Sequence, residues 1–392
     1  MSEFENNNLN LENEPKNSKE KIMYVPDKEV LNMGKKIKKE TKKAEKSEKI
    51  KPEKLKKEKA PKEPKNKISF KEILNKVVFF FKNIIPKKTD DKKTLIIKII
   101  AIVAAVAILA SVIYLIAYFS DLKAQDAAID DIRNIYELNR DDYSYNEDGQ
   151  FSKFDVLKAQ NSDIIGWVNI PGTQLDNPVY QTVDNDYYIT HDMNHENNSY
   201  GSLFLDYRCK IDPKALTQNQ IIYGHNMRYG AMFGELDKYR DGIKGNLAYY
   251  SEHPIISFDS LYESRKYKIF AIMIVDTTTD STFGYDFSAY RSNFTTQTDF
   301  MYWVEYCKQR SLIDTYVDVK PYDEVITLST CCYDYDDARL VLVGRLIREG
   351  EDPEVETDLA ELNSDVIFSG KFYKRKGWSV PKVEPPVVSI YD

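Results

Sequence analysis

The alternation of apolar and polar positions divides the chain into regimes that want different surroundings. Over residues 1–67 lysine, glutamate and asparagine dominate, and so little apolar surface is available that ordering entropy would go uncompensated, so a disordered basic tail is expected. Residues 68–94 are short and amphipathic, with Ile68, Phe70, Ile73, Leu74, Val77, Val78 and Phe79 interleaved with Lys71, Lys76 and Lys82. That pattern suits a juxtamembrane helix lying on a bilayer surface, or a hairpin partner for the next segment. From Ile99 to Phe119 there are 21 consecutive residues without a charge. A helix of that length crosses a hydrocarbon core of about 30 Å, whereas a cleaved signal peptide has a shorter apolar core nearer the N-terminus. A single transmembrane signal anchor is therefore predicted over 95–119.

Beyond it the period changes twice. Ile129, Ile132, Ile135 and Leu138 recur at helical spacing within Asp121–Arg140, which predicts an extracellular stalk or first helix over 120–150. A second short helix is expected over Phe154–Gln160. Short β-rich runs between turn signals then follow at Ile164–Ile170, Val179–Gln181, Ser202–Asp206, Gln220–Tyr223, Tyr267–Val275, Val325–Thr330 and Leu340–Ile347. Strands at such spacing argue for a mainly β barrel or sandwich over 151–348. One helical interruption is predicted at Thr296–Arg310, where Phe300, Trp303, Val304 and Cys307 share a face and Thr296 or Thr298 supplies a cap. In the extension over 349–392, periodicity fades, and Phe372, Tyr373, Trp378 and Tyr391 are candidates to strap it onto the barrel.

Charge sharpens this division. Residues 1–94 hold 27 Lys against 16 Asp and Glu, a net of +11. Removing these and Lys98 from the whole-chain net of −7 leaves −19 on residues 120–392. Lysines crowd the N-terminal side of the apolar run and aspartates follow it, which by the positive-inside tendency puts the N-terminus in the cytoplasm and the rest outside. The lipid bilayer is thus a partner, and no nucleic-acid binding is expected, because glutamates dilute the lysine tail. Four cysteines (Cys209, Cys307, Cys331 and Cys332) do not make a disulfide framework for an extracellular domain of this size.

The candidate chemistry lies where one apolar run ends at Cys331 and the next begins at Arg339. Two strands joined by a loop would bring that thiol beside a fixed cation, which favours the nucleophilic thiolate. His225, at the end of the Gln220–Tyr223 run, is placed to project into a cleft. Ser329 and Thr330 precede Cys331 as candidate substrate-binding residues, Ser329 facing the same side as Cys331 by strand alternation. His191 and His195 stand four apart beside Asp192 and Glu196, yet no third ligand has a recognisable spacing, so neither metal nor cofactor is expected. The acidic loop Asp334–Asp337 is expected to position Arg339 or to tune the field at the thiol.

These blocks resemble the class B sortases, membrane-anchored cysteine transpeptidases of Gram-positive bacteria. The resemblance is carried by Thr327-Leu328-Ser329-Thr330-Cys331, by Arg339, by Gly224-His225-Asn226, and by three flanking blocks. Those blocks are Gly166–Thr173, Asp184–Tyr188 and Gly201–Arg208. It implies a closed eight-stranded β-barrel with N-terminal helices and an inserted helix at Thr296–Arg310. It also implies Cys331 as nucleophile, His225 as general acid and base, and Arg339 as stabiliser of the oxyanion. The implied reaction cleaves a C-terminal sorting motif of secreted proteins through a thioester. The acyl group then passes to an amine of cell-wall peptide or a pilin lysine. Specificity would lie in the loops around Asp276–Asn293 and the helix after them. Cys332 departs from the family pattern, where a polar residue often follows the nucleophile. A catalytically retired sortase-like surface scaffold is the alternative. A papain-like protease fits poorly, because His225 precedes Cys331.

Overall fold

The computed structural model describes residues 84–227 and 230–386, with Asn75, Phe79 and Val388. The tail 1–67 lies outside the described residues, as do most of 68–94 and Tyr391. The segments expected to be anchor and stalk lie in one helix, α1, which runs unbroken over Lys92–Glu137. Asp91 caps it, accepting from the amides of Lys93 and Thr94. At 1.5 Å per residue its 46 residues extend about 69 Å. Its apolar part is long enough to cross a membrane and exposes Ile100, Val103, Ile108 and Ile116.

The distal end of α1 is bound to the barrel by aromatic and ionic contacts. Tyr136 stacks on Trp167 with ring centroids 4.0 Å apart and donates to Asp259 Oδ2 at 2.5 Å. Lys153, with no side-chain exposure, reaches the same carboxylate at 2.7 Å. Arg140 pairs with Asp176 at 2.6 Å, and Trp167 Nε1 donates to that aspartate. Of two further short helices, α2 (Asp155–Gln160) buries Leu157 in this layer, and α3 (Leu247–Glu252) buries Tyr250 in the barrel cluster.

Eight strands close the barrel: β1 (Ile164–Asn169), β2 (Asp176–Tyr180), β3 (Leu203–Leu205), β4 (Asn219–Tyr223), β5 (Ile255–Ser260), β6 (Ser264–Asp276), β7 (Val325–Cys331) and β8 (Ala338–Leu346). Their order around the barrel is β1-β2-β3-β4-β7-β8-β6-β5. Strand β5 is absent from the expected set; Ile256, Phe258 and Ser260 alternate inward, but Ser257 and Asp259 between them, after His253-Pro254, read as a turn. The interior is filled by Val168, Ile222, Ile272, Ile326, Leu328 and Leu342, among others.

Strand β6 changes its facing partway. Tyr267 and Ile269 point inward at its start, and Ile272 and Ile274 do so near its end. A register shift opposite Val343/Gly344 accounts for the switch, since one extra residue reverses the period-two alternation. The outer face then formed by Ala271, Met273, Val275, Val341 and Val343 is covered by α4 (Gln297–Arg310). Thr296, not Thr298, caps α4 by accepting from the Asp299 amide at 3.1 Å. In the extension, α5 (Gly370–Lys376) buries Phe372 and Tyr373 in the barrel's apolar cluster, while Trp378 stays half exposed.

Candidate active site

Strand pairing alone brings the three predicted residues to one barrel end. Cys331 is the register partner of Arg339 across the antiparallel β7–β8 pair. Directly opposed residues share a face with their Cβ atoms about 5 Å apart. That face is the outer one, because Val341 and Val343 follow Arg339 by even steps and pack under α4, whereas Leu340 and Leu342 fill the interior. On the other side of β7, parallel β4 pairs Tyr223 with Ser329. The Gly224 amide extends the ladder to the Ser329 carbonyl at 3.1 Å. Alternation therefore carries His225 to the Tyr223 side, level with Cys331. His225, Cys331 and Arg339 thus stand in that order on three neighbouring chains, all partly exposed.

Each is held by its surroundings. His225 Nε2 lies 2.8 Å from the Ile189 carbonyl oxygen. A carbonyl only accepts, so Nε2 carries the proton and Nδ1 is the nitrogen left for chemistry. Asn226 Nδ2 donates to the Cys331 carbonyl and to Asp237 Oδ2, both at 2.8 Å. Asp237 pairs with Arg240 at 3.0 Å, and Arg240 with Asp334 at 2.6 Å. Arg339 donates to the Ala338 carbonyl at 3.0 Å, and among the described residues it enters no ion pair.

The acidic loop does not hold Arg339. Asp334 is spent on Arg240, and Tyr335 is buried with its hydroxyl oxygen accepting from Ser369 Oγ at 2.9 Å, its ring against Phe372. The β7–β8 loop is thereby tied on one flank to the His225 segment and on the other to the C-terminal helix. Ser329 and Thr330 face opposite sides, and both are nearly inaccessible. The Ser329 hydroxyl meets Tyr290 OH at 3.1 Å, and Thr330 Oγ1 donates to the Gly224 carbonyl at 2.8 Å. Burial raises the Tyr290 phenol pKa, against the opposing pull of its Ser329 bond and of Arg339's charge. His191 and His195 both engage Tyr187, one by stacking at 4.1 Å and the other by a 3.1 Å contact with its hydroxyl.

A family model described as a sortase domain matches residues 168–347, from within β1 to just past β8. Sortase B of Listeria monocytogenes serovar 1/2a is 36% identical over 228 residues, covering 57% of this chain and 86% of that protein. The chain belongs to the sortase family, class B. Sortase B of Staphylococcus aureus is 32% identical over 198 residues, covering 50% of this chain and 75% of that protein. The crystal structure of sortase B from B. anthracis in complex with AAEK1 aligns at 29% identity and a TM-score of 0.49, covering 58% of this chain and 98% of that one.

Membership makes this sortase a cysteine transpeptidase by class. Three of its four thiols are ill suited to that chemistry. Cys209, Cys307 and Cys332 are buried, and burial pushes the Cys209 and Cys332 thiols up to about 12 and Cys307 well above its usual value. Cys331 is the one partly exposed cysteine. Sequence reading missed Asn226, Tyr290, Arg240 and the Ile189 carbonyl. Asn226 had a signal in its position beside His225, and Tyr290 lies within the loop region marked for specificity. The Ile189 carbonyl had none, since every residue type carries one.

Proposed function

We propose that the chain is a membrane-anchored sortase that cleaves a C-terminal sorting motif of secreted proteins and joins the new acyl end to an amine of cell-wall peptide or a pilin lysine. The observation that carries this reading is the alignment of His225, Cys331 and Arg339 on the outer face at one barrel end. The Cys331 thiolate attacks the scissile carbonyl, and Arg339, with no carboxylate partner among the described residues, stabilises the developing oxyanion. His225, as the imidazolium that pairs with the thiolate, gives its Nδ1 proton to the leaving amine as the thioester forms. The neutral ring then removes a proton from the incoming amine, and the thioester passes its acyl group on. Tyr290 and Ser329 form the floor beside Cys331. The apolar stretch of α1 anchors the enzyme, with residues 1–94 cytoplasmic and the barrel outside.

The test incubates the chain with a panel of sorting-motif peptides, with and without an amine acceptor, and reads the products by mass spectrometry. A thioester on Cys331 and amine-dependent ligation support the reading. Equal turnover by Cys331→Ala would sink it, and a wild type inert to every peptide would favour the retired scaffold.

A further inference from the structure

Helix α5 is an anomaly of charge. On a domain that carries −19 overall, residues 371–382 hold five cations (Lys371, Lys374, Arg375, Lys376 and Lys382) and no carboxylate. Lys371 lies 3.5 Å from Asp276; among the described residues Lys374, Arg375, Lys376 and Lys382 join no ion pair, although carboxylates abound elsewhere on the domain. The helix is nonetheless firmly seated. Ser369 caps it, Gly377 ends it in the left-handed conformation, and Phe372 and Tyr373 are buried. Its cations are exposed, and Trp378 and Val380 beside them are 50% and 46% exposed. Basic side chains beside an exposed indole and an aliphatic residue match the chemistry of a headgroup boundary.

The fold says which way this surface points. Strands β4, β6 and β7 all run toward the Cys331 end, so Tyr223, Asp276 and Cys331 lie there, and α5 docks there through Tyr335 and Asp276. Helix α1 meets the barrel first at that same end. Gln125 contacts Ser199 just before β3, and Phe119 and Leu122 line a cleft with Thr173, Gly230 and Met232. It finishes at Asp259 and Phe154, toward the opposite end. The end bearing α5 is thus the one from which the apolar run arrives.

We infer that α5 and residues 377–382 dock on the anionic headgroups of the bilayer that α1 crosses, holding the catalytic mouth toward the membrane. The inference rests on the anchoring proposed above. Phosphate-bearing headgroups supply the charge that the cations lack, and Trp378 and Val380 enter the interface.

The full chain, reconstituted in vesicles of phosphatidylcholine alone or mixed with phosphatidylglycerol, carries its own probe. Trp167 and Trp303 are buried, so quenching by brominated acyl chains reports Trp378. We expect quenching in the anionic vesicles, reduced by salt and abolished in Trp378→Phe. Each basic residue near an anionic surface is worth about fivefold in partition, so reversing three (Lys374→Glu, Arg375→Glu, Lys376→Glu) lowers surface occupancy by more than about 100-fold. Equal quenching in neutral and anionic vesicles, or no response to charge reversal, overturns the docking. So does capture of soluble polyphosphate by this segment without quenching in anionic vesicles. Flotation separates the two readings: a chain that leaves the vesicles on alkaline washing refutes the anchor, whereas one that floats unquenched refutes the docking alone.

Discussion

Asn226 offers the sharpest test of how the site is held. Its side-chain amide donates both protons, one to the Cys331 carbonyl and one to Asp237. Replacing it with alanine removes a neutral hydrogen bond, worth about 1 kcal/mol, and a charge-assisted one, nominally about 1.5–3 kcal/mol. The second is discounted, because the Asp237 side chain is 40% exposed and keeps Arg240. A net loss of about 2 kcal/mol follows, or a fall of about 4–8 °C in Tm for a domain of this size. Activity should fall further than stability explains, since a misplacement of about 1 Å at a reacting atom costs about 100-fold. We expect kcat for peptide ligation to drop about 10- to 100-fold with little change in KM. Asn226→Asp discriminates, for it sets a carboxylate against the Cys331 carbonyl and Asp237, both of which only accept. It should be worse than alanine at neutral pH and recover partly on acidification, as the new carboxyl gains a proton to donate. Thermal melts and steady-state ligation of the three proteins between pH 5 and 8 settle it. Wild-type kcat in Asn226→Ala, or an aspartate variant no worse than alanine, would refute the reasoning.

Three further outcomes follow. Lys153→Met strands the Asp259 carboxylate beside Tyr136 and should cost about 3–5 kcal/mol by urea unfolding, with part of the loss restored by adding Asp259→Asn. Iodoacetamide at pH 8 should label Cys331 well ahead of Cys209, Cys307 and Cys332, read by peptide mass spectrometry; modification of Cys332 at a similar rate would contradict its burial. Burial alone would raise the Asp206 carboxyl pKa, but bonds from Arg208 and Tyr223 outweigh it and hold the pKa below its usual value. Its stabilising share is therefore complete above the unfolded value of about 3.9 and disappears as pH falls through the lower folded one. The urea-midpoint gap between wild type and Asp206→Asn should be widest near neutrality and close in acid.

The sequence disclosed what is local. Cys331 and Arg339 were legible because apolar runs of strand length flank a polar loop, and antiparallel pairing across it then forces the two together. Helix α4 was legible from one apolar face and a threonine cap. What stayed hidden depends on distant chain meeting distant chain. The Ile189 carbonyl reaches His225 across 36 residues, and Tyr335 finds Ser369 across 34. The acidic loop illustrates the limit. Its charges pointed toward its nearest cation in sequence, Arg339, yet Asp334 pairs with Arg240, 94 residues away. Strand β5 was passed over because Asp259, the partner of Lys153 and Tyr136, looks like loop until those residues are seen beside it.

The unbroken passage of α1 from apolar run to barrel has a kinetic consequence. A domain on a slack leash would sweep a shell of space and meet acceptors at any depth it could reach. Stacked on Trp167 and bonded at Asp259, this domain has no leash among its described residues. With α1 as anchor, its search becomes planar. Under the proposed anchoring, enzyme and partner would meet by lateral drift within one thin layer, and height above the bilayer would sort acceptors before any side chain reads them.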